Sequence, residues 1–144
     1  MYIFIQSDDS IHINTENVWS DFTVSLPDPL YLKSGTQWEA AVLETTVDNV
    51  GKLPFNKKDM SQQLYLCCDS VESSFANCLQ KKILCPFRFK DVIRTVKTYD
   101  RPYYMKLVGD RITSLRVYIR DGKGRTPPLA TGTTWCALHI RKSI

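Results

Sequence analysis

The chain has 144 residues, 24% of them charged and 43% apolar, with 19 Lys and Arg against 15 Asp and Glu. That length fits one domain, residues 1–144, with room for a core that needs no metal or disulfide staples. Two histidines and five cysteines, odd in number and without a C-x-x-C spacing, argue against a zinc framework, a histidine-rich metalloenzyme and a disulfide-stapled secreted module.

In chain order, YIFIQ at 2–6 is a short apolar strand that runs into the acidic SDDS, so neither a secretion signal nor a membrane span is expected. DFTVSL at 21–26 alternates Phe22, Val24 and Leu26 with polar residues, and PDP at 27–29 predicts a turn. KSGT at 33–36 predicts a second turn, leading into the aliphatic strand WEAAVLETTV at 38–47, which DNVGKLP at 48–54 should end. QLYLCC at 63–68 is a strand whose Cys67 and Cys68 point to opposite faces as packing residues. SVESSFANCLQKK at 70–82 places Phe75, Cys78 and Leu79 on one helical face and predicts a short helix. KILCPFRF at 82–89 is a ninth strand candidate that Pro86 assigns to an edge or a loop. VIRTVKT at 92–98 and YYMKLV at 103–108 follow, with VGD at 108–110 as a turn.

The chain closes on two strands around DGKGRTPPLATG, whose Gly and Pro residues interrupt any ladder. In the first, Leu115, Val117 and Ile119 alternate with Arg116, Tyr118 and Arg120; in the second, Cys136, Leu138 and Ile140 alternate with Trp135, Ala137, His139 and Arg141. Eight strands separated by turn signals predict an all-β sandwich or barrel. The expected core takes the apolar side of each run: Phe22, Val24, Leu26, Val42, Leu66, Leu115, Val117, Ile119, Leu138 and Ile140.

Catalytic chemistry is hard to build from this chain. A metal site in such a fold needs several histidines and a carboxylate, whereas only His12 and His139 exist, and His139 lies on the outward alternation as a surface or interface residue. No local sequence ties a cysteine to a base, and DGKGR lacks the spacing of a phosphate-binding loop. The expectation is therefore no enzyme, no cofactor, no metal and no small-molecule substrate. The thiols should be free, as in a reducing compartment. Arg116, Tyr118 and Arg120 interleave cations with an aromatic ring, as a single-strand nucleic-acid surface would, although such rings also cover core edges and protein interfaces. Residues 1–80 hold 4 Lys and Arg against 11 Asp and Glu, and 81–144 hold 15 against 4. The charges can mix when strands from both halves interleave, can match neighbouring subunits, or can meet nucleic acid.

At the level of whole segments the chain resembles the penton (minor capsid) proteins of Polinton-type elements and adintoviruses, relatives of adenoviruses and virophages. The first match is the opening strand followed by F-x-V-x-L-P-x-P-L-x-L and a turn into Trp, carried by Phe22, Val24, Leu26, Pro27, Pro29, Leu30, Leu32, Gly35 and Trp38. The second is LYLCCDSVESSFANCLQKKILCPF. The third is the closing pair with its D-x-x-G turn and final basic residues: Asp121, Gly124, Leu138, His139, Arg141 and Lys142. The chain departs from the family at DNVGKLPFN, where relatives have an aromatic-rich segment, and at Asn77 and Cys78, where they often have Gly-Asp.

The resemblance implies a single eight-stranded jelly roll of two four-stranded antiparallel sheets. It also implies a homopentamer at the fivefold vertices of an icosahedral capsid, partnered by a double-jelly-roll major capsid protein. The protein would then reside in the virion, assembled in the host nucleus or cytoplasm, with packaged DNA a candidate partner for its basic residues. Candidate contacts with neighbouring subunits or the capsid interior are Arg116, Tyr118, Arg120, Trp135, His139 and Arg141. The competing expectations are a cellular jelly-roll binding module, an oligomeric ligand, and a nucleoplasmin-like histone chaperone. The last should carry acidic tracts, whereas the longest acidic run here is Asp8-Asp9.

Overall fold

The computed structural model describes residues 2–6, 20–32, 36–48, 63–76, 79–88, 94–125 and 133–143. Its strands in chain order are β1 (Tyr2–Gln6), β2 (Asp21–Tyr31), β3 (Trp38–Asp48), β4 (Gln63–Cys68), β5 (Ser74–Ala76), β6 (Leu79–Lys81), β7 (Ile83–Arg88), β8 (Arg94–Thr98), β9 (Met105–Lys106), β10 (Arg111–Asp121) and β11 (Thr133–Lys142). One antiparallel sheet runs β1-β11-β3-β8, with the two-residue β9 added on β3, and the other runs β2-β10-β4-β7. Each step from β1 to β4 crosses between the sheets, and so do β7 to β8 and β10 to β11, which is the winding of a jelly roll. The all-β, two-sheet jelly-roll sandwich expected from the sequence is the observed architecture.

The core forms where the apolar sides of both sheets face each other. Ile5 opposite Cys136, Val42 opposite Leu138, Val117 opposite Phe22 and Cys68, and Ile119 opposite Leu66 pair in register and are all buried. Of the expected core residues, Val24 and Leu26 are only partly buried, at the edge strand β2.

Three expectations are corrected. The predicted helix is absent, because residues 74–76 and 79–81 pair as a two-stranded ribbon between β4 and β7. KILCPFRF supplies β7 at the edge of the second sheet, as its proline suggested, but YYMKLV, expected as a full strand, contributes only β9 and one bridge from Leu107 to Val71. Pro86 is accommodated because β7 lies at the sheet edge, where an absent N–H costs no ladder bond on the open side. The PDP segment does not end a strand. Residues 26–29 of β2 bulge out opposite Thr113 between the Ser25–Ser114 and Leu30–Ile112 pairs, and pairing then resumes.

A second irregularity sits in β3. Glu44 pairs with Ala137 but Val42 pairs with Leu138, so Leu43 is an extra residue whose carbonyl accepts the Tyr99 N–H at 2.9 Å. This bulge shifts the inward positions from Ala40 and Val42 to Thr45 and Val47, which turns Glu44 away from the core.

Candidate functional site

The closing strands adjoin in sequence but not in space, since β10 belongs to one sheet and β11 to the other. The six candidate residues therefore divide into two groups on opposite outer faces, a sandwich thickness apart. Tyr118 and Trp135 are separated by the core.

On the β2-β10-β4-β7 face, Arg116 and Tyr118 stand opposite Thr23 and Asp21 of β2. Asp21 accepts two bonds from Arg116, from Nε at 2.9 Å and Nη2 at 2.7 Å, and a third from Arg120 Nη2 at 3.1 Å. Both guanidiniums lie against the Tyr118 ring, at 4.8 and 4.9 Å from its centroid. The Arg116 bond in particular holds the Asp21 carboxyl below the usual carboxylate range. A positive stripe in the sequence becomes, in the fold, a clamp of two cations on one carboxylate from the acidic half. Similarly, Arg141 Nε donates to Glu39 Oε1 at 2.7 Å. Interleaving of strands from both halves thus gives each of the three candidate arginines a carboxylate, although Arg116 and Arg120 share one and leave that cluster with a net positive charge.

The other face carries Trp135, His139 and Arg141. Tyr2 of the edge strand β1 stacks on His139 with centroids 4.7 Å apart, and Phe4 stacks on Trp135 at 6.0 Å. The Tyr104 hydroxyl and His139 Nδ1 lie 2.8 Å apart, and the Arg141 guanidinium sits 3.5 Å from the Tyr104 ring centroid. Partial burial, together with the Arg141 charge, pushes the His139 pKa down and favours the neutral ring. A neutral imidazole sandwiched by one tyrosine and bonded to another acts as a rivet for β1. Ala137 lies on this face but is buried. His12 lies outside the described residues, as do Asn77, Cys78 and most of DNVGKLPFN.

Sequence reasoning did not single out β1 as part of this surface. Tyr2 and Phe4 remain 63% and 67% exposed, and with Leu26, Pro27, Asp28, Pro29 and Leu30 they line a groove of about 460 Å³ where β1 and β2 form one open side of the sandwich. Their outward alternation was the available signal. At the opposite side, Gln63, Pro86, Phe87, Arg88, Lys97 and Tyr99 line a second groove of about 460 Å³ between β7 and β8.

Asp121 and Gly124 have structural parts. The Asp121 carboxylate accepts N–H bonds from Lys123 at 2.9 Å and Arg125 at 2.8 Å, and Arg125 Nε adds a bond at 2.9 Å. Gly124 holds φ +80°, a backbone conformation that a side chain would strain. Among the described residues, no group of three His, Cys, Asp or Glu is placed to hold a metal ion, and no helix is long and apolar enough to cross a membrane.

A two-sheet sandwich wound in this order, with ion-paired arginines and aromatic stacks on its outer faces and an open groove at each side, belongs to the jelly-roll class. No family model and no curated protein matches the chain. Among solved structures it is similar to the crystal structure of the selenomethionine-labelled mavirus penton protein, with a TM-score of 0.54 and 6% identity, over 99% of this chain and 100% of that one. At that identity the likeness establishes a shared fold.

Proposed function

We propose that the chain, as a single jelly-roll domain over residues 1–144, is a structural capsid protein of the penton kind. It closes homopentamers at the fivefold vertices of an icosahedral virion of the Polinton, adintovirus and virophage type. One observation carries this: the fold runs end to end with that of a penton protein, with nothing substantial left over on either chain. The role is mechanical and needs no catalysis or cofactor. Its candidate contacts with neighbouring subunits or the capsid interior are the outward residues, Trp135, His139 and Arg141 on one face and Arg116, Tyr118 and Arg120 on the other. A double-jelly-roll major capsid protein is the partner around the ring, and assembly takes place in the host nucleus or cytoplasm. Packaged DNA is the weaker candidate contact, because Asp21 already engages both arginines beside Tyr118.

The test is the mass of the purified protein in solution, by analytical ultracentrifugation and native mass spectrometry across a concentration series. Five copies are expected. Three would favour an oligomeric ligand, and a monomer at every concentration would favour a cellular binding module; either result removes the penton assignment.

A further inference from the structure

A ring of identical subunits has a requirement that the two grooves meet. Cyclic symmetry above twofold makes every contact heterologous, so a subunit must present two different, mutually complementary patches pointing in opposite directions around the ring. The sandwich has two open sides, because β1 and β2 end their sheets on one side while β8 and β7 end them on the other. Open strand edges bearing exposed apolar side chains are aggregation-prone unless something covers them.

The two sides differ in chemistry. The β1/β2 side is apolar, with Tyr2, Phe4, Pro27 and Leu30 around one carboxylate, Asp28. The β7/β8 side is a basic aromatic shelf. Arg88 is held by a bond from Nε to Gln63 Oε1 at 3.1 Å, and Gln63 itself is anchored by donating to the carbonyls of Leu64 and Phe87. Lys97 lies 5.7 Å from the Tyr99 ring centroid, and the Tyr99 hydroxyl donates to the Pro86 carbonyl at 2.9 Å. Unlike Arg116, Arg120 and Arg141, the charges of Asp28, Arg88 and Lys97 have no ion-pair partner among the described residues.

We infer that the occupant of each groove is a second copy of this chain: the β1/β2 side of one subunit docks on the β7/β8 side of the next, with Asp28 set against Arg88 and Lys97 and with Tyr2 and Phe4 against the Pro86 and Tyr99 shelf. The contact rests on the ring proposed above and specifies how it is made. Aromatic burial supplies most of the affinity, while the charges set register and exclude the self-complementary pairings of like sides.

Charge reversal tests this by sedimentation at low and high salt. Asp28→Lys, and separately Arg88→Glu with Lys97→Glu, should each raise the half-assembly concentration at low salt by about tenfold or more. A chain carrying all three reversals should return to within about threefold of wild type, because the pairing is restored with opposite polarity. Phe4→Ser, at an exposed position outside the core, should weaken assembly at every salt concentration. Unchanged thermal melting of the monomers shows that each variant folds. If wild type forms pentamers while the reversals act additively or not at all, the edge-to-edge contact is wrong and the penton assignment stands. Wild type that never self-associates overturns both.

Discussion

Val117 is fully buried between Phe22 of β2 and Cys68 of β4, at the centre of the second sheet. Neither neighbour offers a group that could pair with a charge, so Val117→Asp should cost several kcal/mol, about the whole margin of a small domain. The expected outcome is loss of the cooperative unfolding transition in calorimetry. A soluble variant melting within a few degrees of wild type would show that the residue faces outward. Val24 makes a useful contrast. It lies on the same alternation as Phe22 but near the open side of the sandwich, so truncating it should cost less than truncating Phe22.

At the scale of the element, the turn that closes β10 depends on a carboxylate. Burial alone would raise the pKa of Asp121, but the Arg125 and Lys123 N–H groups and the Arg125 guanidinium together hold it below its ordinary value. A carboxyl depressed in the fold stabilises it above the unfolded pKa of about 3.9, and that contribution fades as pH falls through the lower folded value. Asp121→Asn should therefore lose about 1–3 kcal/mol at neutral pH, and its melting temperature should fall less than that of wild type between pH 6 and about 3. Parallel pH profiles for the two proteins would remove the carboxylate from this account.

The same elements show what can be read from alternation and what cannot. The limits of β1 and β4 fall where the period-two pattern begins and ends, because each residue's side depends only on its neighbours in sequence. Register slips depend on the partner strand. The extra Leu43 and the looped-out residues 26–29 carry no local mark beyond two prolines that look like a turn. Ser74–Ala76 and Leu79–Lys81 became a ribbon although Phe75, Cys78 and Leu79 have helical spacing, since short segments follow tertiary pairing over weak propensity. Arg116, Tyr118 and Arg120 were legible as a shared outward set. That Asp21, 95 and 99 residues away in sequence, would bond to both arginines was not, because strand order decides which rows become neighbours.

For the molecule as a whole, the thiols report on the surroundings in which it is stable. Cys67, Cys68, Cys85 and Cys136 are buried and outside any disulfide, and burial pushes the Cys68 and Cys85 thiols up to about 12 and raises that of Cys136 as well. The last three are protonated at neutral pH, and burial shields all four from oxidants and alkylating agents. Alkylation of native protein should leave these four unmodified, whereas alkylation after denaturation without reductant should modify all five cysteines, Cys78 included. A disulfide-linked pair in the denatured sample would contradict the reducing compartment.

The position of β11 also bears on how the chain reaches this state. Thr133–Lys142 lies between β1 and β3, so the strand made late in synthesis is the one that joins two made early. Until it emerges, β1 has no partner in its sheet, and β3 presents a bare edge on the side that β11 will fill. The nascent chain must wait with both edges uncovered, a slow-closing topology that invites pairing with whatever other strands are near. On a polysome making many copies at once, those strands belong to sister chains, so the timing of release governs whether they meet as finished subunits or as misjoined sheets.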